Sequence, residues 1–502
     1  MDLEIIEKEL GVGRGTSIFL SQTFDDLSSM RKFLSPRIND FTPPHLLPNI
    51  DHLTDYVLLA IDNGDGIFVW GHDDIDGHTS TAVMVKTLRM LNARVDYHIP
   101  DKRKEGYFIP EEWLERIKND GYKTMLTVDF GSSSEENFDR CRKAGVNLLV
   151  TDHHEVLTTS GVQVNPKMPD SRYPEKNLAG VGVSIKIAQH LATNILGTSI
   201  EEFYEINKDL LIHGFLGSVA DRAPLEGENR IIILLGLEEF KRSNRPWVKA
   251  LREDGPLGFN QIINRIIPIL ASARGAEGVN FYLCSDYEQA KDSLSIFKAQ
   301  QRTWQIGYSR YLPAVLRSVK VYPKFAVAIV PNIPLEFLGS FANRLKEEFQ
   351  RPAMVATNRN GDWSAELRGR GSVDLVKKLS VLKQEFLDFG GHPLACGLTF
   401  LDQALDRITE KIIEISETFE STDEKIKEIE LPIIEIEESL KRIFPLPREV
   451  RFLSSNSTIK GGLVDDRKVI WNVTPPQDGR YDLIYFLDED LNIFIKEVQC
   501  RP

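Results

Sequence analysis

Three short clusters of acids and histidines lie far apart in this chain. They are Gly71-His72-Asp73-Asp74-Ile75-Asp76-Gly77, Val128-Asp129-Phe130-Gly131 and Thr151-Asp152-His153-His154-Glu155. Carboxylate oxygens together with imidazole nitrogens suit Mn²⁺ or Mg²⁺, and carboxylates shared between ions suit a site with two metals. The residue types therefore indicate a site for two divalent metal ions, provided that the three clusters meet in space.

Each cluster directly follows an apolar run typical of a buried β-strand. These runs are residues 67–70, 124–128 and 146–150. In an open α/β sheet the carboxyl ends of the strands form the ligand crevice. We therefore expect six side chains to converge on one site: Asp74, Asp76, Asp129, Asp152, His153 and His154.

The alternative for any single cluster is a solvated loop, because acids between glycines are common in exposed turns. Three such clusters at three strand ends make that interpretation poor. A fourth acid, Asp221, follows the apolar helical run 210–216, and the sequence leaves open whether it caps a helix or joins the site. His98, His190 and His213 lie in apolar contexts, and we interpret them as packing residues.

Composition limits the classes of protein that this chain can belong to. Its 502 residues predict about two to four domains. The net charge of −13 opposes binding of a polyanion, so nucleic acid would have to be bound by local basic patches and metal ions. No run approaches the length of a membrane-spanning helix and no signal peptide is visible. Four widely spaced cysteines fit a reducing cytoplasm, which we expect as the location.

Alternating strand and helix patterns predict an α/β fold with a mostly parallel sheet. We expect this fold to comprise a main α/β domain, a second smaller α/β domain and a β-rich C-terminal segment. The predicted boundaries are a lead segment at 1–50, the main domain at 51–240, a helical connector at 241–320, the second domain at 321–420 and the C-terminal domain at 425–502.

The second predicted domain carries a small-residue loop, Gly390-Gly391-His392. Glycines let a backbone approach a phosphate, and a histidine can donate a hydrogen bond to it. Arg368 and Arg370 lie upstream, and guanidinium groups suit phosphates. From spacing alone, a solvated turn is an equally good interpretation of the two arginines.

Taken together, these motifs resemble those of the DHH phosphoesterases, and among them the RecJ single-strand exonucleases. The resemblance covers about residues 50–420. Beyond the clusters it is carried by segments 99–107, 164–167, 178–182 and 217–225, and by Glu228-Asn229-Arg230. Segment 268–275 departs from the family pattern.

The resemblance implies roles for particular residues. The implied metal ligands are His72, Asp74, Asp76, Asp129, His153 and Asp221, with Asp152 supporting them. The implied catalytic residues are Asp129, His154 and His392. The implied substrate contacts are Arg103, Tyr107, Arg368, Arg370, Gly390, Gly391 and His392.

The activity that the resemblance implies is metal-dependent exonuclease cleavage of single-stranded nucleic acid, with DNA as substrate and 5′-to-3′ polarity. Two Mn²⁺ or Mg²⁺ ions would serve as cofactors, and replication or repair proteins could be partners. Two alternatives remain at this point. One is a phosphodiesterase acting on short oligonucleotides or cyclic dinucleotides, and the other is a non-catalytic replication scaffold.

Overall fold

The computed structural model describes residues 1–100, 105, 109–253, 255, 257–359, 361–419, 427–446 and 450–499. The described helices, in chain order, are α1 (Leu3–Leu10), α2 (Arg14–Thr23), α3 (Leu27–Leu34), α4 (Ile50–Asp62), α5 (Ile75–Met90), α6 (Glu111–Asn119), α7 (Glu135–Ala144), α8 (Gly180–Leu191), α9 (Ile200–Ile206), α10 (Lys208–Ala220), α11 (Gly227–Arg242), α12 (Pro246–Leu251), α13 (Phe259–Gln261), α14 (Ile267–Leu270), α15 (Ala276–Leu283), α16 (Tyr287–Ser318), α17 (Leu338–Phe349), α18 (Leu375–Leu379) and α19 (Leu405–Ser416).

The described strands form three sheets. The first contains β1 (Gly66–Trp70), β2 (Val95–His98), β3 (Tyr122–Val128), β4 (Asn147–Thr151) and β5 (Val162–Val164). The second contains β6 (Lys320–Val321), β7 (Ala326–Ile329), β8 (Ala353–Arg359), β9 (Asp362–Arg368), β10 (Asp388–His392) and β11 (Ala395–Leu401). The third contains β12 (Lys427–Glu430), β13 (Val450–Lys460), β14 (Leu463–Val464), β15 (Ile470–Trp471), β16 (Gly479–Leu487) and β17 (Ile493–Gln499).

The first sheet has the strand order β2-β1-β3-β4-β5, and every described pair is parallel. All five residues of β1 are buried, because helices cover both faces and leave no polar side to the strand. The mostly parallel sheet predicted from the sequence is confirmed. The strand order reverses between β1 and β3, and such a switch point opens a crevice at the carboxyl ends of the two strands.

The second domain is a smaller α/β unit, as predicted. Its sheet has the order β10-β11-β9-β8-β7-β6, with β7 and β8 parallel and the other pairs antiparallel. One face packs on α19 through Leu398 and Ile408. The other face packs on α16 and α17 through Val315 and Phe341.

The connector belongs to the cores of both domains. Trp247 and Phe281 pack with Phe215 of α10 in the first domain. Helix α16 has 32 residues, which corresponds to about 48 Å, and it carries Phe297 in that core and Val315 in the core of the second domain. One continuous helix therefore joins the two domains.

The C-terminal residues form the expected β-rich unit, and β16 and β17 form an antiparallel pair. Its core also contains Ile6 and Phe19 from the N-terminal helices, and Phe19 contacts Phe452 of β13. Helices α1–α3 of the predicted lead segment therefore pack in the same core as the C-terminal sheet. Among the described residues, no helix has both the length and the apolar character needed to cross a membrane.

Candidate active site

The first acids of the site lie where β1 ends and α5 begins. Asp74 is the N-cap of α5, and its Oδ1 accepts from the Gly77 backbone N–H at 2.8 Å. Asp76, in the first turn of the helix, is only 3% exposed. Its carboxylate accepts from the backbone N–H groups of Gly180 at 2.9 Å and Val181 at 2.8 Å. The N-terminus of α8 thus holds this carboxylate in place and favours its negative charge.

Asp129 follows β3 on the other side of the switch point. Its φ of 63° is left-handed, a conformation that aspartate tolerates better than most residues. Its backbone N–H donates to the Thr151 carbonyl at 2.9 Å, which ties it to the end of β4. The buried carboxylate places Oδ1 3.1 Å from His153 Nε2 and Oδ2 3.8 Å from His72 Nδ1.

His153 presents one ring nitrogen to these acids. Its Nδ1 lies 3.1 Å from the carbonyl oxygen of Leu178. Because a carbonyl only accepts, Nδ1 carries the proton and Nε2 keeps its lone pair. That lone pair faces Asp129, with Asp76 Oδ2 at 3.7 Å. An imidazole fixed in this way by a backbone carbonyl is the usual arrangement of a metal-binding histidine.

Asp152 uses its carboxylate to hold the backbone and side chains next to it in the site. Its carboxylate accepts from the backbone N–H groups of Ser132, His153 and His154 and lies 2.8 Å from His154 Nδ1. Burial alone would raise the pKa of Asp152, but His154 and these hydrogen bonds hold that pKa below its usual value. Asp152 therefore remains ionised and orients His154.

The last two residues close the site from opposite domains. Asp221 follows α10, and its Oδ2 lies 3.9 Å from His153 Nδ1. His392 lies at the end of β10 in the second domain, with Nε2 3.7 Å from Asp221 Oδ1. The His392 ring stacks on His154 at a centroid distance of 4.2 Å. The site thus lies in the cleft between the two domains.

The described residues at this site fit divalent metal ions. Burial, followed by the charge of Asp74, raises the pKa of Asp76 to about 7. Burial and neighbouring acids also raise the pKa values of Asp129 and Asp221 well above the usual range. Bound cations would allow these carboxylates to be ionised together. Asp129 Oδ1 and His153 Nε2 are buried with no hydrogen-bond partner among the described residues, so two acceptors face each other at 3.1 Å.

Ligand atoms group into sets whose members lie within 4.8 Å of one another. One set is His72, Asp74 and Asp129, and another is Asp76, His153 and Asp221. Two further sets are Asp129, Asp152 and His154, and His153, His154 and His392. Asp129, His153 and His154 each occur in two of these sets, and Asp129 is the one carboxylate among the three, the type of ligand that two ions can share.

Every predicted metal-ligand candidate lies in this cluster, and the predicted substrate contacts that the structure describes lie in the second domain. A Cβ on Gly391 would lie 2.3 Å from the Ala395 carbonyl oxygen, and the φ angle of Gly391 is 133°. This position therefore requires glycine. Gly390 faces Ser133 of the first domain. Arg368 pairs with Ala395 across the sheet, and Ala395 pairs with His392, so Arg368 lies at the same end of the sheet as His392.

Two of the remaining predicted contacts, Arg368 and Arg370, lie in the described part of the second domain. Arg368 Nη1 is 2.9 Å from Glu366 Oε2, which engages part of its charge. Arg370 follows two residues later, in a partly buried turn. Arg103 and Tyr107 lie outside the described residues.

Sequence reasoning assigned no role to two residues that shape the site, Asn165 and Gly180. Asn165 follows directly after β5, and its Nδ2 donates to Ser132 Oγ at 2.9 Å and to the His154 carbonyl at 3.0 Å. A Cβ on Gly180 would lie 2.5 Å from Asp129 Oδ1, so glycine is needed for α8 to approach the acids. The strand-end position of Asn165 was a usable signal, whereas the contact of Gly180 depends on tertiary structure.

The fold and the site together define a class of protein. Its members have two α/β domains, with a centre of carboxylates and imidazoles at the switch point of the parallel sheet. A histidine from the second domain lies over that centre. Two family models match the chain in these regions. The model of the DHH family N-terminal domain matches residues 66–215, and that of the DHHA1 domain matches residues 323–418. Residues 66–215 and 323–418 of this chain thus match the two domain models of the DHH family.

Individual relatives agree with this assignment. The single-stranded-DNA-specific exonuclease RecJ of Bacillus subtilis is 30% identical over 423 residues, which are 80% of this chain and 52% of the relative. The RecJ of Dickeya dadantii is 29% identical over 401 residues, covering 74% of this chain and 69% of the relative. The chain thus spans about half the length of the Bacillus relative.

A solved structure shares the fold. The crystal structure of RecJ from Thermus thermophilus, in complex with Mn²⁺, covers 100% of this chain with a TM-score of 0.78 and 19% identity. This chain covers 78% of that one. The likeness therefore includes the N-terminal helices, both α/β domains and the C-terminal sheet.

Proposed function

We propose that this chain is a metal-dependent exonuclease that hydrolyses phosphodiester bonds of single-stranded DNA from the 5′ end. The observation that carries the proposal is the cluster of buried acids and histidines at the switch point, where two acceptors without a partner in the described part of the chain face each other and His392 lies above them. The names of the relatives support single-stranded DNA as the substrate.

Two divalent cations, Mn²⁺ or Mg²⁺, are the proposed cofactors, as the Mn²⁺ complex of the Thermus relative suggests. One set of ligands would be His72, Asp74 and Asp129, and the other Asp76, Asp129, His153 and Asp221. When bound, such ions neutralise charge on the scissile phosphate and lower the pKa of the attacking water.

The chain itself supplies the groups that orient and stabilise the phosphate. Burial, followed by the charge of His154, holds the pKa of His392 below its usual value, so the ring is neutral at neutral pH. A neutral ring keeps one N–H, which can donate to a phosphate oxygen as charge develops there. His154 is held by Asp152 at 2.8 Å and stacks under His392, so the two rings would contact the same nucleotide.

Substrate binding is assigned to the face of the second domain that borders the cleft. The lack of side chains at Gly390 and Gly391 would let the DNA backbone approach the hairpin closely. Arg368 and Arg370 are the proposed phosphate contacts on that domain, and Arg103 and Tyr107 are the proposed contacts on the first domain.

The domain boundaries predicted from the sequence are retained in this proposal. The free thiols Cys141, Cys284 and Cys396 support a reducing compartment, and we propose the cytoplasm.

The test is digestion of end-labelled single strands with Mn²⁺, compared with the same reaction in EDTA. We expect Mn²⁺-dependent release of mononucleotides from the 5′ end of single-stranded DNA and little cleavage of blunt duplexes. Asp129→Asn should be inactive. The exposed Asp62→Asn, which makes the same chemical change on α4, should be fully active. Cleavage confined to di- or trinucleotides, or no cleavage at all, would overturn the proposal.

A further inference from the structure

Three consecutive residues near the start of α11 are buried, and each contacts a different part of the molecule. These are Glu228, Asn229 and Arg230, at 2%, 4% and 2% exposure. Glu228 accepts hydrogen bonds from Thr42 N–H and Lys186 Nζ. Arg230 donates to the carbonyl groups of Phe33, Ile443 and Pro445. These two residues therefore connect structural segments, whereas the contacts of Asn229 lead to the proposed active site.

The side-chain amide of Asn229 binds both ends of a short backbone segment before α8. Its Nδ2 donates to the Asn177 carbonyl at 2.7 Å, and its Oδ1 accepts from the Ala179 N–H at 3.2 Å. Leu178, between these two contacts, is buried, as is Ala179. One amide side chain thus fixes the peptide groups on both sides of Leu178.

The segment that Asn229 holds contacts two of the proposed metal ligands. The carbonyl of Leu178 accepts from His153 Nδ1 at 3.1 Å, which sets both the tautomer and the direction of that ring. Immediately after Ala179, the N–H groups of Gly180 and Val181 donate to the Asp76 carboxylate. A displacement of residues 177–179 would therefore move an imidazole and a carboxylate at once.

We propose that Asn229 is a positioning residue for the metal centre, acting through the backbone of residues 177–181 on His153 and Asp76. It contacts neither ligand itself. The inference rests on the proposed metal-dependent function, but its main measurement is Mn²⁺ binding, which does not require catalysis. Partners behind metal ligands typically contribute about 10- to 100-fold to metal affinity, and we expect a loss in the lower part of that range.

The experiment compares Asn229→Ala with Arg230→Met in the full chain. Calorimetric titration should give at least about 10-fold weaker Mn²⁺ binding for Asn229→Ala, with a native circular dichroism spectrum. Its kcat on single-stranded DNA should fall at low Mn²⁺ and recover largely when Mn²⁺ is in excess. Arg230→Met removes neighbouring buried hydrogen bonds, so it should lower the melting temperature and leave Mn²⁺ affinity unchanged. Asn229→Leu, which is similar in size to asparagine, should behave like Asn229→Ala.

The outcomes separate the inference from the proposed function. Folded Asn229 variants that bind Mn²⁺ as tightly as wild type would refute the positioning role, and so would an equal loss of Mn²⁺ affinity in Arg230→Met. If wild type bound Mn²⁺ without cutting DNA, the proposed function would fail, while the effect of Asn229 on Mn²⁺ affinity would still decide the inference.

Discussion

Replacing Asp129 by asparagine should abolish hydrolysis and, in the absence of metal, make the folded protein more stable. Asp129 is 2% exposed, and its Oδ1 has no hydrogen-bond partner among the described residues. A ligand oxygen of Asp129 lies within 4.8 Å of one on Asp152, which is also buried. Asparagine has nearly the same shape, so the change removes a charge without creating a cavity.

Two calculations give the size of the effect. Two unit charges 4.8 Å apart repel each other by about 3.5 kcal/mol at an effective dielectric constant of about 20. The metal-free protein can avoid this repulsion by keeping Asp129 protonated, because burial and neighbouring acids raise its pKa from 3.8. Stability then falls by about 1.4 kcal/mol for each pH unit above 3.8 over which Asp129 stays protonated in the folded state while it is ionised in the unfolded state.

The pH dependence follows from the sign of this pKa shift. A carboxyl whose pKa is raised in the folded state has no effect on stability below pH 3.8, where both states are protonated. Above that pH the unfolded state ionises first, and wild type becomes less stable as the pH rises. The stability advantage of Asp129→Asn over wild type in EDTA should therefore be close to zero near pH 4 and grow as the pH rises above that.

Bound metal should reverse the order of stability, so that wild type becomes more stable than Asp129→Asn. Mn²⁺ at 1,000 times its dissociation constant would stabilise wild type by about 4.1 kcal/mol, while a variant lacking the shared ligand would gain little. The assay is unfolding of both proteins from pH 4 to pH 8, in EDTA and in Mn²⁺, with Asp62→Asn as the control. The reasoning would be refuted if Asp129→Asn were less stable than wild type in EDTA at pH 6, or if it cleaved DNA within a few-fold of the wild-type rate.

Three further predictions concern substrate binding and the second domain. His392→Ala should lower single-turnover cleavage by about 100-fold or more, because a donor to the phosphate is lost, while calorimetric Mn²⁺ affinity stays within about three-fold; a collapse of that affinity would make His392 a ligand instead. With this variant, binding to labelled single strands should require Mn²⁺ and weaken as salt is added, since local basic groups act against a net charge of −13; tight binding that ignores both would contradict the scheme. Gly391→Ala should reduce cleavage and destabilise the second domain by about 1–3 kcal/mol in thermal unfolding, because φ is 133° and a Cβ would meet the Ala395 carbonyl; wild-type behaviour would show that the hairpin tolerates a side chain.

The central part of the site could be predicted from sequence because it depends on local patterns. Each of the first three clusters follows an apolar run, and parallel strands place their carboxyl ends on one edge of the sheet. Asp74, Asp129 and His153 therefore had to lie near one another once the strands were recognised. The strand order, with β1 beside β3, adds that the first two of these clusters flank the switch point.

Other parts of the molecule carry no such signal. The position of His392 over the site depends on how α16 joins the two domains. Only the family resemblance indicated that His392 would lie there. The acceptor for His153 Nδ1 is the backbone carbonyl of Leu178, and every residue has a carbonyl. Ile6 and Phe19 were recognisably apolar, but apolar helices can pack on any core, so their place beside the C-terminal sheet had to come from the structure.

The shared core of the N-terminal helices and the C-terminal sheet has a consequence for synthesis on the ribosome. Gly13 N–H donates to Ser439 Oγ, a partner 426 residues later in the chain. At about 5–20 residues per second, the first helices leave the ribosome about 20 to 85 s before that partner has been made. During that interval both α/β domains can fold, while Ile6 and Phe19 still lack their main packing surface. Ile6 and Phe19 are thus synthesised long before the strands that bury them, and they stay exposed until those strands have been made.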